Sequence, residues 1–184
     1  MIRLSPVLAG LACALALASP AADAQLPIQA DVNEASLTKA ELQTLVPLGS
    51  SSFYVSIFHV YDAELSAPVT GFNWDEPFRL KLTYARKISA KQLVNVSLKE
   101  MARVFDSEVA DYENFREPLS TCFRDVRKGD VIEGVSDSRD TVRFFFNGEQ
   151  TCELAEPEAS YQFFSIWLSE QSRSPKQTRR LLGQ

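Results

Sequence analysis

The sequence predicts a mixed α and β domain in which helices lie against a sheet. Three observations carry that prediction. Phe78, Leu80, Leu82 and Tyr84 alternate with Arg79, Lys81 and Thr83, the period of a half-buried strand. Helical spacing then takes over. Leu93, Val94, Ser97, Leu98, Met101, Val104 and Phe105 fall along one side, with Lys91, Asn95, Lys99 and Arg103 along the other. Between strand and helix, Ser89 stands as an N-cap, and Gln92 three residues on completes the pattern of a capping box. A strand and a helix with one apolar face each bury those faces against something, which implies layers.

Composition sets the bounds. The chain has 184 residues, of which 45% are hydrophobic and 23% charged, enough to bury a core and too apolar for disorder. A net charge of −5 and the lack of a basic cluster with interleaved aromatics argue against nucleic acid as a partner. Residues 1–24 have signal-peptide anatomy: Arg3, then the apolar run Val7 to Ala18, then the small-x-small site Ala22-Asp23-Ala24. Cleavage near Ala24 leaves residues 25–184 as a single domain, in a periplasm or outside the cell. The later sequence holds no apolar run of about 20 residues, so no membrane-spanning helix is expected. Export makes Cys122 and Cys152 a candidate disulfide; two buried thiols are the alternative.

Taken in order, residues 25–37 carry no strong signal. Thr38 to Leu48 reads as an edge strand in preference to a short helix broken by Pro47, and Gly49-Ser50-Ser51 as a turn. Ser52 to Ala67 is aromatic and rich in β-branched residues, and is read as one central strand covered on both faces. Pro68 to Pro77 is a loop with Trp74 as a packing lid, and the strand and helix described above follow. Asp106 to Cys122 reads as an interrupted helix and Arg127 to Asp130 as a turn. Val131 to Val135, Thr141 to Phe146 and Gln150 to Leu154 form a three-stranded meander, with Asn147-Gly148 as a type I′ hairpin turn. Glu158 to Ser169 is a helix. Another starts at Ser174-Pro175 and ends at Gly183.

Motifs for chemistry are sparse. His59 is the lone histidine and is read as an ordinary strand residue. No cysteine pair has metal-ligand spacing. There is no nucleophile elbow, phosphate loop or dinucleotide fingerprint. Asp62 and Glu64 share a strand face at i, i+2 and are read as solvated. Neither a metal nor a cofactor is expected.

Six runs in order resemble the bacterial chalcone isomerase-like family. They are Val60-Tyr61-Asp62-Ala63 with Leu65; Leu82-Thr83-Tyr84-Ala85-Arg86-Lys87-Ile88; Leu98-Lys99-Glu100-Met101; Val126-Arg127-Lys128-Gly129-Asp130; Phe145-Phe146-Asn147-Gly148; and Phe163-Phe164-Ser165-Ile166-Trp167-Leu168. The resemblance covers most of residues 45–182. It implies an α+β open-faced β-sandwich: a large antiparallel sheet with helices packed on one face and a ligand cleft between them. Members of that family are plant isomerases, which close a chalcone to a flavanone, or non-catalytic relatives, some of which bind fatty acids. Of the isomerases' polar positions, the strand Thr falls at Ser56, the Tyr at Leu93, the Asn at Glu100 and the late-helix Thr at Ile166. The early Arg has no counterpart between Leu45 and Ser52. Without those donors the cleft lacks the stabilisation that phenolate and enolate need.

The function expected is therefore an exported, non-catalytic protein that binds a fatty acid or similar small amphiphile. Tyr54, Ser56 and Phe58 are expected to line the cleft from a strand, and Leu93, Ser97 and Met101 from the covering helix. Arg86, at the end of a strand and next to a helix cap, is the candidate for a ligand carboxylate; capping of loop carbonyls or pairing with an acid is its other role. Two other functions stay open: an isomerase or intramolecular lyase on an unknown substrate, and a structural partner of an envelope protein. The oligomeric state is not legible.

Overall fold

In a computed structural model of the chain, residues 44–184 are described. The expected signal peptide, the segment 25–37 and residues 38–43 lie outside them. Six strands form one antiparallel sheet in sequence order. They are β1 (Val46–Val55), β2 (Phe58–Ala67), β3 (Phe78–Tyr84), β4 (Val131–Ser138), β5 (Thr141–Phe146) and β6 (Glu149–Ala155). The helices are α1 (Ala90–Val104), a 3-10 helix (Val109–Phe115), α2 (Arg116–Cys122), α3 (Ala159–Leu168) and α4 (Pro175–Leu181).

The pleat sorts the sheet into two faces. One cross-strand row runs Leu65, Leu80, Gly134, Phe144, Cys152, and a second runs Ala63, Leu82, Ile132, Phe146. Both belong to the face that packs under the helices. The row between them, Glu64, Lys81, Glu133, Phe145, points the other way. There Lys81 reaches Glu64 at 3.3 Å and Arg79 approaches Glu133 at 3.9 Å. Opposite charges facing each other across an antiparallel pair add modestly to pairing. Asp137 sits at an irregularity of β4, from which its carboxylate takes two hydrogen bonds from the buried Arg143, at 2.5 and 2.7 Å.

α1 begins at the capping box read from the sequence: the Gln92 N–H donates to Ser89 Oγ, and the Ser89 N–H donates to Gln92 Oε1. Its Val94, Leu98, Met101 and Ala102 are buried. β3 and β4 are neighbours although the whole segment from Ala85 to Asp130 lies between them in sequence. That segment leaves the sheet and returns to it. Its base is closed by reciprocal backbone hydrogen bonds between Ile88 and Val126, at 2.9 and 3.0 Å.

Two expectations for the first strands are corrected. Ser52 to Ala67 is not one strand but a hairpin, with Val55 paired to Phe58 across the turn Ser56-Ile57 and Ser56 at a φ of 55°. No Gly, Asn or Pro marks this turn, so the apolar run reads through it. Nor is it covered on both faces, since Ile57 at the tip is 83% exposed and Tyr54, Val55 and Phe58 are exposed too. Gly49-Ser50-Ser51 is not a turn but part of β1. Gly49 serves a close approach: a Cβ there would lie 2.1 Å from the Arg180 carbonyl oxygen of α4. Of the expected edge strand Thr38 to Leu48, residues 38–43 lie outside the described residues and Val46 to Leu48 open β1; the elements after β2 fall where expected, with β4 extending to Ser138. Asn147 and Gly148 turn at φ of 50° and 86°. Trp74 packs edge-on against Phe72, Phe78 and Tyr161.

Cys122 at the end of α2 and Cys152 on β6 form a disulfide, with Cα atoms 5.0 Å apart. The bond staples the helical layer to the edge of the sheet. It closes a loop spanning 30 positions, for which loss of unfolded-chain entropy gives about 3–4 kcal/mol of stability. Unfolded, unreduced protein from its native compartment should show no free thiol, and reduction should lower the denaturant midpoint accordingly. Two titratable thiols in that material would reject the pairing.

Candidate functional site: a cleft between sheet and helices

A cavity of about 750 Å³ lies between the helix-covered face of the sheet and the helices. Leu80, Leu82, Ile132 and Phe144 form its floor. Leu93, Val96, Ser97 and Glu100 of α1 line one wall; Phe163, Phe164, Ile166 and Trp167 of α3 line another. The segment from Ser172 to Thr178 and the hairpin residues Tyr54, Val55 and Ser56 complete it. Gly134 also contributes to the floor. A Cβ there would lie 2.8 Å from the Phe164 ring, so the glycine lets that ring rest on the sheet.

The structure brings four of the expected binding residues to this cavity, Tyr54, Ser56, Leu93 and Ser97, and leaves three outside it. Met101 is fully buried in the core. A helix turns about 100° per residue, so Met101 is rotated roughly 80° from Leu93 and falls on the side of Val94 and Leu98. The stripe that faces the cavity is Leu93, Val96, Ser97, Glu100. Phe58 follows the unrecognised turn, and its ring is exposed. Arg86 lies beyond the end of β3, where strand parity no longer holds, and its guanidinium sits 5.8 Å from the centre of the Phe58 ring in solvent. Ser56, Leu93, Glu100 and Ile166, the positions matched to the isomerases' polar groups, all line the one cavity.

The polar groups that matter most are ones the sequence did not single out as binding residues. Tyr61 and Tyr84 stand opposite each other on β2 and β3, ring centroids 5.8 Å apart. The Trp167 indole N–H donates to the Tyr61 hydroxyl at 2.9 Å. Glu100 accepts from Arg103 Nε at 2.8 Å and from Arg173. Gln177 Nε2 donates to the Ser52 carbonyl at 2.7 Å and holds the hairpin to α4. Parity along β3 places Tyr84 with Leu80 and Leu82, but the Tyr61–Tyr84 pairing needs the strand register. Arg173 carried no sequence signal.

Electrostatics fix the states of these groups. Burial pushes both phenols well above their ordinary pKa, and the hydrogen bond from Trp167 only partly offsets this for Tyr61. Both are neutral hydrogen-bond donors at physiological pH. Burial alone would raise the Glu100 carboxyl, but the hydrogen bonds and charges of Arg173 and Arg103 outweigh it and hold it below the usual carboxylate range. Glu100 is an anion throughout the neutral range. His59, outside the cavity, is within 3.0 Å of Asp62. Among the described residues no group of three or more His, Cys, Asp or Glu is arranged to hold a metal ion, and no helix is long and apolar enough to cross a membrane.

A six-stranded antiparallel sheet with helices packed over one face and a cleft between the layers is the chalcone isomerase-like α+β fold. The solved structure of a fatty-acid binding protein from Arabidopsis thaliana is similar to this chain, with a TM-score of 0.62 over 81% of this chain and 90% of that one. Sequence identity is 10%, so the likeness is one of fold. No protein-family model matches the chain, and no curated protein is similar to it.

The buried phenols make stability depend on alkaline pH. The unfolded chain ionises its tyrosines near pH 10, whereas the folded chain keeps Tyr61 and Tyr84 neutral to higher pH. Their contribution is complete below about pH 10 and is lost as pH rises above it. Thermal melts from pH 8 to 11 should show the melting temperature falling in the upper part of that range. Tyr84→Phe, which removes a hydroxyl, should make the fall shallower; an unchanged slope would contradict the assignment.

Proposed function

We propose that this chain is an exported, non-catalytic binding protein that holds a fatty acid or similar small amphiphile in the cleft between sheet and helices. The carrying observation is the cavity itself. Its volume of about 750 Å³ lies within the roughly 300–1,000 Å³ range of small-molecule sites. Its wall is mostly aliphatic and aromatic, interspersed with hydroxyls and amides and with one ion pair, Glu100 with Arg173. Leu93 and Ile166 put apolar side chains where the isomerases resembled carry polar ones. That leaves the site suited to hold an apolar chain rather than to stabilise a developing oxyanion. Fatty-acid binding by the Arabidopsis protein of the same fold supports this reading.

The test is a titration of saturated fatty acids of increasing length. Burial of each methylene contributes about 0.8 kcal/mol, so two more carbons should tighten binding about tenfold until the cavity is full. Leu93→Trp should abolish binding by occupying the cavity while the protein still melts cooperatively. Affinity that ignores chain length would remove the reading. Saturable, Ser56-dependent turnover of a chalcone would replace it with an isomerase.

Export rests on the leader anatomy of residues 1–24 and on the disulfide, a bond favoured in oxidising compartments. Sequencing of the mature protein from its source should begin at Gln25. A chain that retains Met1 would place it elsewhere.

A further inference from the structure

Glu100 is an unusual residue to find on the wall of an apolar cavity. Its side chain is only 12% exposed, and two arginines hold it. Their roles differ. Arg103 donates to Glu100 Oε2 at 2.8 Å and also to the Gln171 carbonyl at 2.8 Å, so it ties α1 to the segment after α3. Arg173 places both Nε and Nη2 on the single oxygen Glu100 Oε1 and makes no other hydrogen bond among the described residues. Its side chain is 59% exposed while still lining the cavity, so it stands where the cavity meets solvent. An ion pair so exposed on one side contributes little to stability.

Two guanidiniums around one carboxylate leave a net positive charge at the cavity entrance. The floor and the α3 wall are largely apolar, built by Leu80, Leu82, Ile132, Phe144, Phe163 and Ile166, and the polar groups elsewhere on the lining are uncharged. A carboxylate on an acyl chain matches both features, and a guanidinium fork binds a carboxylate through two parallel N–H bonds. We propose that Arg173 is the headgroup site for a carboxylate ligand and that Glu100 is its resident competitor. In the empty protein Glu100 occupies the Arg173 fork and keeps it at the entrance. On binding, the ligand carboxylate takes that fork, while Arg103 continues to neutralise Glu100. The acyl chain then runs inward past Val96 and Leu93 toward Leu82 and Phe163. This assignment rests on the amphiphile-binding reading and moves the anion site from Arg86 to Arg173.

Dodecanoic acid and dodecan-1-ol, compared at pH 7 on the full mature protein, test it. Arg173→Gln should weaken dodecanoate binding about tenfold and leave dodecanol within about twofold. Glu100→Gln removes the competitor and should tighten dodecanoate several-fold, again with little effect on dodecanol. Added salt should weaken dodecanoate binding to the wild type and not to Arg173→Gln. A merely structural latch predicts the opposite sign for Glu100→Gln, because losing the latch would loosen the entrance for both ligands. Equal effects on acid and alcohol, or none, overturn the headgroup assignment and leave the cavity reading intact. If the wild type binds neither compound, the function itself fails. Should Glu100→Gln not fold, the Arg173→Gln and salt arms decide alone.

Discussion

The adjacency of β3 and β4 is the constraint on which the rest of this structure depends. The two strands pair directly, yet α1, the 3-10 helix and α2 all lie between them in sequence. A connection that leaves and returns at one place on a sheet must be stacked on a face of that sheet. The reciprocal Ile88–Val126 hydrogen bonds close its base, and the disulfide pins the end of α2 to β6. Helices held in this way form a roof whose height is set by the side chains beneath it.

Those side chains explain why there is a cleft at all. Toward the β4–β5 side, Phe123, Phe144, Phe163 and Phe164 meet in edge-on and tilted contacts and fill the space. Toward the hairpin, Ala63 on the sheet and Ser97 on α1 are small, and neither reaches far enough to fill the gap. Close packing at one end and short side chains at the other leave a cavity where a core would otherwise continue. The polar groups stand along that unfilled end. Tyr61 and Tyr84 are held neutral by burial, and Glu100 is held charged by its arginines. The site thus sets neutral phenols along its wall and an ion-paired carboxylate at its edge.

Much of this was legible before any coordinates. The alternation from Phe78 to Tyr84, the Ser89–Gln92 box, the Asn147-Gly148 turn and the Ser174-Pro175 helix start are local signals. Each is decided by residues within a few positions of one another, and each appears in the structure at its expected place. The reading failed where a local signal had a distant cause. Gly49 looked like a turn because glycine usually is one, but its reason is the α4 carbonyl lying against it. The Ser56-Ile57 turn went unseen because no turn residue marks it; pairing of β1 with β2 imposes it.

The sequence by itself determined the kinds of element, most of their ends, and the apolar faces that force helices onto a sheet. Ser56, Leu93, Glu100 and Ile166, far apart in sequence, all line the one cavity. Tertiary structure decided which residues meet. Met101 and Glu100 are neighbours in sequence, but helical rotation sends one into the core and the other to the cavity wall. Arg86 and Arg173 look alike as candidate anion sites, and only packing shows one over an exposed phenylalanine and the other beside a mostly buried carboxylate. Periodicity reports which way a side chain leaves its own backbone. What it then faces depends on where other segments of the chain come to rest, and that information is not local.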